Sequence, residues 1–324
     1  MAPSIPEKMK AAALDRFGGP EVLGIKTVPV PECGDDEILI RVEVAGVGVW
    51  DALEREGEMA GMMQGEPHFP YVPGTDGAGE VVAVGKNVRR FKVGERVYAV
   101  AFLSPKGGFY AEFAVAKEKH AARIPQGMKI EQAAALAADG ITALQGLEEQ
   151  LRLQAGQRLL IFGASGGVGH IALQLARRLG ARVLAVASGE DGVELARRLG
   201  AEAVVEGHGG DVEKACRDFA PDGLDAALVL ACNDRCLSVL KHVRQGGRIA
   251  HPNGVEPIPQ GPEGVEVLAY DGIPHQKTLE RLNELIEAGP FHLEIGHVYA
   301  MEEAARAQKE VLQHHLGKLT LRIH

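Results

Sequence analysis

The chain has 324 residues, long enough for two domains with separate cores. Hydrophobic residues make up 46% and charged residues 24%, the balance of an ordinary globular protein, and a net charge of −9 without a dense Lys/Arg run argues against a nucleic-acid or anionic-membrane partner. No stretch approaches the roughly 20 apolar residues of a membrane span. Met1–Lys10 holds no apolar signal core, and the scattered Cys33, Cys216, Cys232 and Cys236 fit a reduced, cytoplasmic setting. Cys232 and Cys236 lack the second pair that a metal site would need.

The first third reads as β. In the run from Glu37 to Val44, Ile38, Ile40, Val42 and Val44 fall on one face and Glu37, Arg41 and Glu43 on the other. The runs 79–85, 95–100 and 110–115 are further short strands bounded by turn signals, which together predict a compact, barrel-like β domain. From about Ile130 the texture changes to strands alternating with helices. Leu159–Phe162 is an apolar run. It leads straight into Gly163, Ala164, Ser165, Gly166, Gly167, Val168 and Gly169, and then into a helical pattern over 170–179.

Strand, glycine turn and helix form the arrangement that holds a dinucleotide pyrophosphate. Gly166 lets the backbone approach the phosphates, Gly169 lets the helix lie close on the strand, and the helix N-terminus offers N–H groups and partial positive charge. The first glycine of the usual G-x-G-x-x-G is Ala164 here, so the context carries the assignment: strand before, helix after, and a second strand over 182–187. Helices are expected to end at Gly180 and Gly200, each preceded by Ala-Arg-Arg-Leu and followed by Ala, with the glycine in the left-handed position past the last turn. Further strands are expected at 203–205, 224–230 and 247–250, giving a parallel sheet covered by helices on both faces. Leu279, Leu282, Leu285 and Ile286 recur at helical spacing before Gly289, and 318–323 is a last strand whose β character implies that the tail rejoins the first domain.

With these elements in order, the chain resembles the medium-chain dehydrogenase/reductase superfamily, and within it the zinc-free quinone oxidoreductase (zeta-crystallin-like) branch. The resemblance rests on Met9-Lys10-Ala11, on the run from Phe17 to Leu23, on Pro73-Gly74-Thr75-Asp76 and the strand after it, and on Gly94-Glu95-Arg96-Val97. Gly108-Phe109-Tyr110-Ala111-Glu112, the glycine turn, Gly246-Gly247-Arg248-Ile249 and Gly317-Lys318 complete it. It implies a GroES-like β-rich domain, a partly open barrel, over residues 1–125. A Rossmann doubly wound parallel sheet follows over 126–270, and 271–324 returns to the catalytic domain, with the active site in the cleft between the two. A homodimer paired through the Rossmann edge is also implied.

The family's catalytic-zinc positions fall on Gly48, which has no side-chain donor, and on Thr75, a poor zinc ligand. Asp76 and Asp139 alone remain nearby, so no metal is expected. Quinone oxidoreductases often carry Asn where Gly48 stands, and the bulky Trp50 lies beside it. The position that in NAD enzymes carries a ribose-binding acid is Ala187, followed by Ser188 and Gly189. This favours NADPH over NADH, although Glu190 and Asp191 follow closely and Gly192 stands where relatives often carry a phosphate-binding Lys. Without zinc, the easier hydride acceptors are electron-poor small molecules: quinones and α,β-unsaturated carbonyls.

Candidate catalytic residues are Thr142, Asp51 and Trp50. Thr142 matches a family threonine near the nicotinamide, or is a helix hydroxyl bonded to its own backbone. Candidate cofactor contacts beyond the turn are Ser188, Gly189, Thr142, Cys232, Asn233, His251, Pro252, Asn253 and Lys318. His251 reads either as a general acid or as a structural histidine, and Tyr71 and Tyr270 as pocket or core. Two other readings stand beside the leading one: an enoyl-thioester or activated-alkene reductase, and a non-catalytic NADPH-binding sensor.

Overall fold

A computed structural model describes residues 5–63 and 68–324, in two compact units. The first comprises Met1–Ala138, Pro274–Glu280 and Ile295–His324, the second Asp139–Ile273 and Arg281–Glu294.

In the first unit β1 (Lys8–Leu14) and β2 (Leu23–Pro29) pair as an antiparallel ribbon. The main sheet is built around β3 (Glu37–Val47). It is followed by a short helix α1 (Val49–Glu56) and the strands β4 (Asp76–Val84), β5 (Arg96–Val100), β6 (Phe113–Lys117) and β7 (Ala121–Arg123). The alternation in β3 places Ile38, Ile40, Val42 and Val44 in the core, while Arg41 pairs with Glu80 across the strands at 2.6 Å. The helix α1 was not expected from the sequence. Gly57 ends it in a left-handed conformation, φ 86°.

The division between the units falls within α2 (Ile130–Gln145). The second unit continues with β8 (Arg158–Phe162), α3 (Gly167–Arg178), β9 (Arg182–Ala187), α4 (Gly189–Arg198) and β10 (Ala203–Glu206). Then come α5 (Val212–Phe219), β11 (Leu224–Val229), α6 (Asp234–Leu240), β12 (Val243–Pro252) and β13 (Glu266–Tyr270). The six strands lie in the order β10-β9-β8-β11-β12-β13, every pair parallel. This is the doubly wound order in which the chain reverses direction between β8 and β11, and where such sheets bind ligands at the C-terminal strand ends. β13 lies in a stretch where the sequence predicts no strand. Ala-Arg-Arg-Leu-Gly-Ala closes both helices alike: the N–H of Gly180 reaches Arg177 O and that of Ala181 reaches Ala176 O, and Gly200 and Ala201 repeat the pattern on Arg197 and Ala196.

The chain continues through α7 (Gln276–Glu287) to β14 (Ile295–Ala300), α8 (Ala304–Glu310) and β15 (Lys318–Arg322). β15 pairs antiparallel with the Val44–Val47 half of β3, while β6 takes the Glu37–Arg41 half of the same strand. The seven-stranded order is β14-β15-β3-β4-β5-β7, with β6 on β3, an open sheet rather than a closed barrel. Residues 281–294, which the sequence reading placed in the first domain, belong to the second unit. Arg178 donates to the carbonyls of Ile286, Gly289 and Pro290, and Gln174 exchanges two hydrogen bonds with the backbone of His292. The buried His170 donates through Nδ1 to Gly166 O at 2.9 Å and accepts the Glu294 N–H at Nε2. Those partners define a neutral tautomer, in line with burial lowering its pKa.

Candidate functional site

The glycine turn joins β8 to α3. Gly163 takes φ 91°, open to glycine at little cost, and its N–H and that of Ala164 both bond to Val186 O. A Cβ at Gly169 would lie 2.1 Å from Gly163 O and 2.8 Å from Ala164 Cα, so only glycine lets α3 sit this close to β8. At Gly166 the case is the opposite. The nearest atom an added Cβ would meet, Gly163 O, is 3.8 Å away, an ordinary contact, so packing does not force a glycine at Gly166 as it does at Gly169. Gly166 is also the N-cap of α3 and makes no side-chain cap. The first-turn N–H groups of a helix have no intrahelical acceptor. In this unit Asp211 caps α5 and Asn233 caps α6 with side-chain oxygens, whereas α3 and α4 begin without a side-chain cap.

The other expected contacts of this unit gather at neighbouring strand ends. Ser165, buried beside the turn, accepts the Ser188 N–H at 3.3 Å, which ties the end of β9 to the glycine turn. The backbone after β11 touches Gly163, with Ala231 N 3.4 Å from its Cβ position. Cys232 and Asn233 follow there. Cys232 is half-buried, and the Asn233 side chain is committed to its cap, accepting the Cys236 N–H at 3.0 Å. His251 is buried at the end of β12, with Nδ1 3.1 Å from Pro252 O, and Asn253 N–H donates to Tyr270 O. Thr142 is half-buried on α2. The Tyr270 hydroxyl donates to its carbonyl at 2.9 Å, and Gly272 passes so close that a Cβ there would lie 2.2 Å from Thr142 Oγ1. Tyr270 is core, as is Tyr71 in the first unit.

In the first unit α1 begins beside Gly48. The carboxylate of Asp51 is buried and accepts four donors: Thr75 N–H and Thr75 Oγ1 at 2.8 Å on one oxygen, Gly48 N–H at 2.7 Å and the Tyr110 hydroxyl at 3.1 Å on the other. The sequence offers Asp51 as a candidate catalytic residue. The structure makes it a saturated internal brace, because the short helix turns it inward onto the loop at Thr75. Glu54, one helical turn on, is equally buried and accepts the Tyr71 hydroxyl at 2.6 Å and Gly74 N–H at 3.2 Å. Burial, with the Asp51 charge adding to it, pushes the Glu54 carboxyl up to about 8. Nothing in the sequence singled out Glu54. The signal available was its i+3 spacing from Asp51 on one helix face. Trp50 is half-buried, its ring edge-on to Phe102 at 5.7 Å.

Lys318, at the start of β15, is buried next to Gly48, its Nζ 3.4 Å from where a Gly48 Cβ would stand. An ammonium therefore sits against Gly48, and the Thr75 hydroxyl already donates to Asp51. Asp76 accepts the Ala138 N–H at 2.8 Å. Among the described residues no group of three or more His, Cys, Asp or Glu is arranged to hold a metal ion.

Residues 34–126 match the family model of the alcohol dehydrogenase GroES-like domain, and residues 167–257 that of the zinc-binding dehydrogenases. The chain is 32% identical over 318 residues to a quinone oxidoreductase of Sus scrofa, covering 94% of each. It is 33% identical over 294 residues to a chloroplastic NADPH-dependent alkenal/one oxidoreductase of Arabidopsis thaliana, covering 88% of this chain and 71% of that one. The solved structure of the quinone oxidoreductase from Coxiella burnetii matches with a TM-score of 0.83 at 25% identity, over 98% of this chain and all of the other. The chain belongs to the medium-chain dehydrogenase/reductase superfamily, in its quinone oxidoreductase branch. Among the described residues no helix is long and apolar enough to cross a membrane.

Proposed function

We propose that the protein is a cytoplasmic, zinc-independent reductase that uses NADPH to reduce quinones or α,β-unsaturated carbonyls. The observation that carries the reading is the bare start of α3. A helix N-terminus without a side-chain cap begins at the half-buried Gly166 and is held against β8 by a Gly169 that tolerates no side chain. Ala187 and Ser188 put no carboxylate at the end of β9, which favours a 2′-phosphate. The names of the Sus scrofa and Arabidopsis relatives agree with the acceptor class, and the latter with the coenzyme.

The coenzyme, when bound, would supply the hydride. The chain's own residues bind, orient and shelter. The first turn of α3 receives the pyrophosphate. The loops holding Cys232, His251, Pro252 and Asn253 border the rest of the dinucleotide, with Thr142 proposed beside the nicotinamide and Lys318 retained as a contact from the first unit. Trp50, stacked edge-on to Phe102, offers an aromatic wall to a flat acceptor. Asp51 is reassigned as a positioning residue that holds Thr75 and Gly48.

A zinc ion does not fit the set of residues at its family position. Gly48 offers no donor, Thr75 is engaged, and the Lys318 ammonium repels a dication. We assign the homodimer to the open edge at β13 and the domain boundaries to the two units described above.

The test is NADPH oxidation, followed by absorbance, with a panel of quinones, enones and an enoyl thioester in chelator-treated buffer. Turnover with the first two supports the reading. A preference for the thioester supports the activated-alkene alternative. Tight coenzyme binding without turnover supports the sensor, and activity that returns only on adding zinc overturns zinc independence.

A further inference from the structure

We infer that the cleft at the C-terminal ends of α3 and α4 is a binding site for a phosphate-bearing small molecule, separate from the glycine turn. The inference is independent of the reading above, because it uses none of the residues assigned there.

The cleft has a volume of about 540 Å³, within the range of small-molecule sites, and lies wholly in the second unit. Its walls are Arg177 and Arg178 at the end of α3, Arg198 at the end of α4, and the segment around Phe291 and His292. A helix rises about 1.5 Å per residue, so Arg177 lies roughly 15 Å along α3 from Gly167 and the glycine turn. Three guanidinium groups therefore line one cleft in a chain whose net charge is −9.

The repeated Ala-Arg-Arg-Leu-Gly-Ala puts two arginines in the last turn of each helix, where cations offset the helix dipole. That role engages only part of what they offer, since a guanidinium carries five N–H donors. Among the described residues Arg177 engages one, Nη1 to Leu199 O at 2.9 Å, and has no carboxylate partner. It lies against Gly200, where a Cβ would stand 2.5 Å from Nη1 and 3.1 Å from Nε, so the glycine is what leaves the guanidinium its place. Arg198 engages Nη2 alone, with Glu294 at 2.6 Å, and its side chain is 57% exposed. Arg178 is different. It donates to three carbonyls and lies over the Phe291 ring at 5.1 Å, so it contributes charge rather than donors. Burial lowers its pKa, and no carboxylate acts to raise it.

Glu294 is the one carboxylate bonded to this group, and it is shared between Arg198 and Nε2 of His292. Three guanidinium charges thus face a single acid. A phosphate matches what remains. Its oxygens can take the open fork of Arg177, Nε with Nη2, together with the unengaged donors of Arg198, and its charge compensates Arg178. The half-buried Phe291 gives an organic portion an apolar wall. The wall is fixed in place, because Gln174 exchanges two hydrogen bonds with the backbone of His292.

The test is titration calorimetry on the whole protein carrying Gly166→Asp, so that phosphate uptake at the glycine turn does not contribute. The probes are inorganic pyrophosphate and cytidine triphosphate. One equivalent is expected to bind with a dissociation constant below about 1 mM, more weakly as ionic strength rises. Adding Arg177→Gln or Arg198→Gln should each weaken binding about 10- to 100-fold, the range for a charge-assisted hydrogen bond. Arg197→Gln removes the same charge from an exposed neighbour outside the cleft and should stay within about twofold. Arg177→Gln also loses the bond to Leu199, so Arg198→Gln, whose only partner is a surface ion pair, reads the site without a cost to the fold. Tighter binding of the nucleotide assigns the cleft to an organic phosphate, and equal binding to an inorganic one. No saturable binding of either probe up to about 10 mM, or losses in the two cleft variants no larger than in Arg197→Gln, would overturn the site.

Discussion

The turn between β8 and α3 and the acid pair on α1 are both short helix starts next to glycine, yet they are built to opposite ends. At α3 the helix N-terminus is left without a side-chain cap, and the backbone at Gly166 is not crowded by side chains. At α1 the same kind of terminus is closed by its own third residue. Asp51 takes the Gly48 N–H together with three further donors and leaves no lone-pair direction for a ligand. One site holds donors in reserve and the other consumes them. Buried polar groups that are satisfied stabilise a fold, whereas uncompensated ones at a strand end mark where a ligand completes the hydrogen bonding.

Substitutions that exchange these characters sharpen the contrast. The largest effect is expected from Asp51→Ala, which strands the buried donors of Gly48, Thr75 and Tyr110. At about 1–3 kcal/mol for each unmet buried donor, the loss should exceed ~3 kcal/mol. It is measured as a fall in the urea midpoint, with the coenzyme affinity of the remaining folded protein little changed. Gly166→Asp comes next and should act in opposite directions on the two observables. The new carboxylate caps α3 and raises stability by only about a few tenths of a kcal/mol, since glycine is itself a tolerated N-cap. It also occupies the donors and repels phosphate, so NADPH affinity should drop at least about tenfold in fluorescence titration. A variant that both melts earlier and binds as well as wild type would remove the distinction between the two regions.

Glu54 gives a smaller, pH-dependent effect. Its carboxyl is raised in the folded protein from 4.5 to about 8, so the folded state holds a proton that the unfolded chain releases. Its contribution to stability is present below pH 4.5 and is lost as the pH rises towards 8. Urea midpoints should therefore fall with pH over that window, and Glu54→Gln should flatten the slope. A slope unchanged in the variant would mean that Glu54 is ionised and accommodated as a second anion beside Asp51. The mildest change is expected for Trp50→Ala. Loss of the aromatic wall should raise KM for a quinone about fivefold, with NADPH affinity unaltered, in keeping with the ~1 kcal/mol of an aromatic contact.

Much of the architecture was legible because it rests on short-range rules. The glycine turn followed an apolar strand, the two Ala-Arg-Arg-Leu-Gly-Ala closures ended helices as expected, and the alternation in β3 marked its buried face. What the sequence left out came from side chains whose partners lie far along the chain. Asp51 looked like a pocket acid because Thr75 and Tyr110, 24 and 59 residues away, are silent until the loop folds over α1. Asn233, a candidate coenzyme contact, also caps α6, and that cap is visible only once the helix start is placed. Glu54 drew no notice, because it lies on a helix whose pattern was too short to register.

The alternation of strands and helices from β8 onward, the glycine turn and the family followed from the sequence by itself, since periodicity, glycine conformational freedom and motif order are properties of neighbouring residues. Which polar groups are spent on the protein and which are left for a ligand was decided by tertiary structure alone. Hydrogen bonds at 2.6–3.3 Å depend on distances that exist only after the units have folded.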